Sequence, residues 1–140
     1  INNKDYKFKI GKAVEILPGD DVAIIGCGNI LGNCLEAAST LRNKKIQCSV
    51  VNMHTIKPID QEKIKDIARK KKLIVTVEEH NIFGGLGSSV AEVLAGERNN
   101  CKLVRVGIND FYSTGGSYEY LKNIYGLSVE KIIMTVLKNL

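Results

Sequence analysis

The densest group of chemically competent side chains is Glu78-Glu79-His80-Asn81, and three glycines, Gly84, Gly85 and Gly87, follow it closely. Two carboxylates beside an imidazole suggest acid and base work, histidine being the side chain most easily tuned near neutral pH. Glu78 and Glu79 are adjacent, however, so in an extended strand they point to opposite faces and cannot act as a paired acid and base. His80 therefore stands as a general base, a phosphate contact or a structural hydrogen-bonding residue; the last is the commonest role of a lone histidine at a strand end. The glycines allow sharp turns and close backbone approach. They open a helix whose apolar positions are Leu86, Val90, Val93 and Leu94, and residues 84–89 at its amino end are a candidate anion site.

Other constellations are thinner. Gly26-Cys27-Gly28-Asn29-Ile30-Leu31-Gly32 follows an apolar run and opens a helix, as a dinucleotide loop does. Its last glycine falls one residue late for G-x-G-x-x-G, and Asn52 stands where an acidic residue would hold a ribose. Tight strand-to-helix packing is the plainer reading. His54 is isolated. No Ser-His-Asp set, P-loop or metal triad can be assembled by spacing. Cys27, Cys34, Cys48 and Cys101 form no C-x-x-C pair and read as free thiols rather than a zinc or redox site. The expected sites in this chain are thus catalytic none, cofactor-binding none and metal none.

The elements that must position these residues follow from periodicity. Residues 73–77, LIVTV, are a β-branched apolar run suited to the middle of a parallel sheet, and residues 78–81 are expected as an acidic turn at its carboxyl end. Further strands are expected at 12–17, 22–25, 46–51 and 103–108. Pro18-Gly19-Asp20 is a turn so brief that the first two strands should be antiparallel neighbours or lie in adjacent layers. Helical spacing joins Leu31, Cys34, Leu35, Ala38 and Leu41. Asp60 can cap a helix carrying Ile64, Ile67 and Ala68, with Ile59 and Ile64 as a hydrophobic staple. A polar loop at 109–116 precedes a short helix at 117–124 that Gly126 ends. Ser128 caps the last helix, Leu127 and Ile132 staple it, and Ile133, Val136, Leu137 and Leu140 are its expected inward stripe. Five strands alternating with helices imply α/β class, with a parallel or mostly parallel sheet covered on both faces.

Composition narrows the function classes. The 140 residues, 44% hydrophobic, suit one compact domain over 12–140, with 1–11 as a polar linker from something upstream. No apolar stretch approaches the roughly 20 residues of a membrane helix, and the first residues lack the apolar centre of a secretory signal. A cytoplasmic location and no membrane partner are expected. The formal charge is +5, yet Arg69 to Lys72 and Lys44-Lys45 fall at helix ends, where cations offset the macrodipole. No aromatic residues interleave with them, which disfavours a nucleic-acid partner.

Three stretches together resemble the C-terminal domain of transketolases: VVNMHTIKPID at 50–60, EEHNIFGGLGSSVAEVLA at 78–95 and YGLSVEKI at 125–132. They are most similar to the split transketolases, in which two polypeptides share the enzyme. The same domain type closes 1-deoxyxylulose-5-phosphate synthase and the β subunits of 2-oxoacid dehydrogenases. Those relatives more often carry glycine at the place of His80, which favours transketolase. Residues 110–116, DFYSTGG, depart from the family's usual loop there. The resemblance implies a three-layer α/β/α sandwich around a mixed five-stranded sheet whose first strand is antiparallel. It implies an enzyme that moves a two-carbon ketol unit between sugar phosphates using thiamine diphosphate and magnesium. Both cofactors would be held by other parts, a pyrimidine-binding domain and an N-terminal diphosphate-binding domain or subunit. This chain alone is expected to be inactive, a third domain serving assembly in a homodimer or heterotetramer. Its expected interface or substrate-channel residues are Glu79, His80, Asn81, Phe83, Gly84, Gly85 and Gly87. An independent phosphate-binding module and a pure interaction domain are the rival classes.

Overall fold

A computed structural model describes residues 6–98 and 100–140; residues 1–5 of the expected linker, and Asn99, lie outside the described residues. Five strands are present: β1 (Val14–Leu17), β2 (Val22–Gly26), β3 (Cys48–Asn52), β4 (Leu73–Asn81) and β5 (Lys102–Ile108). Among the described residues five α-helices accompany them, α1 (Leu31–Asn43), α2 (Gln61–Lys70), α3 (Leu86–Ala95), α4 (Tyr118–Ile124) and α5 (Val129–Asn139), with a 3-10 turn at Gly28–Ile30. The sheet order is β1-β3-β2-β4-β5. β1 is antiparallel to β3, while the other pairs are parallel. β1 and β2 therefore lie in one sheet without being neighbours, contrary to both expectations from the short Pro18-Gly19 turn, antiparallel neighbours or adjacent layers. The turn carries the chain past the edge, and β3 later inserts between them.

Every residue of β2 and β3 is buried, because helices cover both faces and leave no side for polar alternation. On one face Val22, Ile24, Val50, Val75 and Val77 pack with Cys34, Ala38 and Leu41 of α1 and Ile132 and Val136 of α5. On the other Ala23, Ile25, Val51 and Ile74 pack with Ile64 and Ile67 of α2 and Val90 of α3. The three-layer sandwich is complete on both sides of the sheet. Leu137 and Leu140 are exposed, a correction to the expected stripe. The α5 face that meets the sheet is centred on Ile132 and Val136, and Ile133 only borders it.

Capping signals translated directly. Asp60 accepts from Lys63 N at 3.2 Å and also from Ala13 N at 2.9 Å, so one side chain starts α2 and fastens the approach to β1. Ser117 and Ser128 cap α4 and α5, and Gly126 between them has φ +73°, a conformation that favours glycine. Within the expected linker, the Phe8 ring centroid lies 4.6 Å from that of His54, and Gly11 N donates to Thr55 Oγ1 at 2.9 Å. Residues 6–11 thus pack on the loop after β3.

Candidate functional site at the carboxyl edge of β4

β4 does not stop at Val77. It continues through Glu78, Glu79 and His80 to Asn81, so these residues form strand rather than the expected turn. The ladder with β5 slips here: Val77 faces Val106, while Asn81 faces Ile108. That irregularity gives β4 extra length over its neighbour and lets charged side chains sit in a strand at the rim of the sheet.

Alternation sends Glu78 toward α3 and Glu79 toward α1. Glu78 is 1% exposed. Its Oε2 accepts from Leu86 N at 2.7 Å and its Oε1 from Gly87 N at 2.8 Å. α3 has no side-chain cap of its own, and this carboxylate satisfies two of the donors left open at its start. The glycines make the room. A Cβ at Gly85 would lie 1.8 Å from Glu78 Oε2 and 2.9 Å from Asn81 O, and one at Gly87 would lie 2.8 Å from Thr76 Oγ1. The candidate anion site at 84–89 is therefore filled from within, which overturns the reading of an independent phosphate-binding module there.

Beyond this anchor the loop faces outward. Phe83 is 59% exposed, with the Arg105 guanidinium 5.6 Å from its ring centroid. Arg105 Nη1 also donates to Ile82 O at 2.9 Å, and Gly84 N donates to Ser88 Oγ at 2.9 Å. Asn81 fastens two segments: its Oδ1 accepts from Phe83 N at 2.8 Å and its Nδ2 donates to Asp110 at 3.0 Å. His80 is exposed, and its Nδ1 donates to Asn81 O at 2.9 Å. Gly84 has φ +79° and open space around it, so its need for glycine is conformational, whereas that of Gly85 and Gly87 is steric.

Glu79 lies on the other side of β4, near Tyr118. Partial burial first, then the neighbouring Glu79 carboxylate as acceptor and charge, and the charge of Glu119, push Tyr118 up to about 12. Lys122 Nζ stands 4.7 Å from the Tyr118 ring centroid and 2.8 Å from Glu119. The Cys27 thiol is raised by burial first and by Glu78 and Glu79 after it. In the Gly26 to Gly32 loop only Gly26 is held by packing, since a Cβ there would meet Cys34 Sγ and Leu31 Cδ2, each at 3.2 Å, while Gly28 has φ +76° and Gly32 has open space around it.

Of the seven expected residues, Asn81, Phe83, Gly84, Gly85 and Gly87 belong to one constellation with Glu78 and Arg105. His80 borders it, and Glu79 sits in a separate cluster with Tyr118. Sequence reasoning passed over Arg105, Tyr118 and the role of Glu78. Two signals were available: a lone arginine inside the apolar run LVRVG, which needs a partner, and an uncapped helix start downstream of a strand-end acid. Thiamine diphosphate and magnesium do not fit this edge. The amino end of α3 is taken by the Glu78 carboxylate and Asp110 beside Asn81 adds like charge against a diphosphate, while among the described residues no group of three or more His, Cys, Asp and Glu side chains is placed to hold a metal ion.

Residues 11–132 match the family described as transketolase, C-terminal domain. A Methanocaldococcus jannaschii protein, named provisionally as a transketolase C-terminal section, is 40% identical over 99% of this chain and 43% of its own length. The 1-deoxy-D-xylulose-5-phosphate synthase of Heliobacterium modesticaldum is 40% identical over 88% of this chain and 19% of that enzyme. Among solved structures, a split gene transketolase described as an inactive beta4 tetramer superposes with a TM-score of 0.90 at 38% identity, covering 99% of this chain and 45% of that one. The chain thus spans less than half the length of each of these relatives.

Proposed function

Because the chain belongs to the transketolase C-terminal domain family, we propose that it is the assembly domain of a split, thiamine-diphosphate-dependent transketolase of the cytoplasm. The complete enzyme would move a two-carbon ketol unit between sugar phosphates. Thiamine diphosphate and magnesium would be held by its pyrimidine-binding and diphosphate-binding parts, in a homodimer or heterotetramer. The observation that carries this reading is the internal carboxylate at α3: Glu78 fills the anion seat of the carboxyl edge, and what remains on offer there is an exposed aromatic, Phe83, beside His80 and Asn81. Such an edge suits a protein surface better than a small anion. The solved relative described as a split gene transketolase in an inactive beta4 tetramer supports the same division of labour.

Mixing the chain with the missing domains of a split transketolase should restore assembly, read by sedimentation, and ketol transfer. His80→Ala with Phe83→Ala should leave the melting temperature unchanged, because both side chains are exposed, and weaken assembly about tenfold, as the loss of a hot-spot aromatic does. Unchanged assembly and activity in the double variant would refute the reading. A second reading, that the parent enzyme is a 1-deoxyxylulose-5-phosphate synthase, is favoured by the identity to the Heliobacterium enzyme; the product formed by the reconstituted enzyme separates the two.

A further inference from the structure

β5 ends the sheet on the side away from β1 and pairs only with β4. A strand in that position turns every second N–H and C=O outward, a template for another strand. No backbone hydrogen bond from another described segment closes that outer side. Beside it runs a groove of about 470 Å³, walled by Val104 to Gly107 of β5 and by one face of α5. That face is Lys131, Met134, Thr135, Lys138 and Asn139, the i, i+3, i+4, i+7, i+8 set of a single helical stripe. Met134 is 61% exposed.

The charge of the groove has one sign. Lys131 and Lys138 line it, and no carboxylate does. Neither lysine is in an ion pair among the described residues. Arg105 contributes only backbone here, its guanidinium lying on the opposite face of the sheet against Ile82 O and Phe83. A second copy of this chain would bring the same lysines to the same groove and meet like charge. An acidic segment would meet complementary charge.

We infer that the outer edge of β5 receives an extended acidic peptide segment of a partner protein, added as a sixth strand. On its groove side the segment carries a carboxylate, an apolar residue and a carboxylate in alternate positions. The spacing comes from the helix. Lys131 and Lys138 are seven residues apart, roughly 10 Å along α5 at 1.5 Å per residue. Same-face positions i and i+4 of a strand span roughly 13 Å, within the reach of two flexible lysine side chains. The residue midway, i+2, falls over Met134. Backbone pairing supplies affinity and the three side chains supply choice, as in other strand additions.

The probe is the capped hexapeptide Glu-Thr-Val-Thr-Glu-Thr, titrated into the full chain, with hydrogen exchange of the β5 amides as the readout. The outward-facing, alternate amides within residues 104–107 should gain protection on binding, and Lys131→Glu with Lys138→Glu should weaken binding at least tenfold. A peptide with lysine in place of both glutamates should recover affinity for that variant. Methylation of the peptide nitrogens on one edge should abolish binding, while the composition-matched Glu-Glu-Thr-Thr-Thr-Val should bind at least tenfold more weakly than the patterned peptide. Binding indifferent to the charge reversal or to nitrogen methylation overturns the inference. So do no binding at millimolar peptide, and β5 amides already protected in a concentration-dependent way, which would assign the edge to a second copy.

Discussion

Replacing Glu78 tests whether the carboxyl edge is built around an internal anion. In Glu78→Ala the Leu86 and Gly87 N–H groups lose acceptors at 2.7 and 2.8 Å, in a place where Glu78 itself is 1% exposed. Hydrogen bonds to a charged group contribute about 1.5–3 kcal/mol each. Negative charge at a helix amino end adds about 0.3–1 kcal/mol. Partial entry of water offsets some of the sum, and a loss of about 4 kcal/mol is expected, large beside a net stability of about 5–15 kcal/mol. Glu78→Gln keeps shape and one acceptor but turns an amide donor toward one of the N–H groups, so about half that loss is expected. Gly85→Ala attacks the same contact from the other side, its Cβ lying 1.8 Å from Oε2. In the Glu78→Ala background the clash with the carboxylate is gone while the approach to Asn81 O at 2.9 Å remains, so the two substitutions should be strongly non-additive. Urea unfolding, with the midpoint compared at constant slope, gives all three quantities. A loss under about 1 kcal/mol for Glu78→Ala, or strict additivity in the cycle, would refute the internal-anion reasoning.

Two further outcomes follow from named contacts. Burial, ahead of the charge of Cys27, pushes the Cys34 thiol from 9.0 up to about 12. The folded state holds that proton more tightly than the unfolded chain, so the stability this contributes is fully present below about pH 9 and is lost as the pH rises toward 12. Cys34→Ala should flatten the alkaline decline measured by denaturant titration at stepped pH; an unchanged slope contradicts it. Asn81→Ala should cost about 1 kcal/mol and speed hydrogen exchange of residues 109–116, because Asn81 Nδ2 holds Asp110 at 3.0 Å; equal exchange in variant and parent sinks the clamp.

Local chemistry was legible wherever one residue decides one feature. The caps at Asp60, Ser117 and Ser128 and the left-handed Gly126 all stand where their residue types placed them. The apolar runs gave the buried strands for the same reason, since a strand covered on both faces needs no polar alternation. What escaped were decisions made by distant parts of the chain. β1 pairs with β3, a strand that lies further along the chain and between β1 and β2 in the sheet, and nothing in residues 12–25 records that. The extension of β4 through two glutamates and a histidine depends on the slip against β5 and on α3 accepting Glu78 as its cap. Leu137 and Leu140 satisfy helical spacing but lie beyond the arc that touches the sheet, and the arc is set by how α5 leans on α1 and β4.

β4 also has a bearing on the speed and selectivity of docking. The strand that carries Ile74 and Val75 through the centre of both cores is the one that ends at His80, Asn81 and the turn bearing Phe83. An ordinary surface loop must surrender conformational freedom when a partner arrives, at about 0.5–1.5 kcal/mol for each rotamer-rich side chain immobilised. Here the backbone beneath Phe83 is already fixed by the sheet, by Glu78 and by Asn81, so a partner meeting this edge as proposed would dock near-rigidly and divert little binding energy to ordering. A partner whose surface differed in shape would meet an edge that does not remould itself, and selectivity between related subunits would follow from that stiffness.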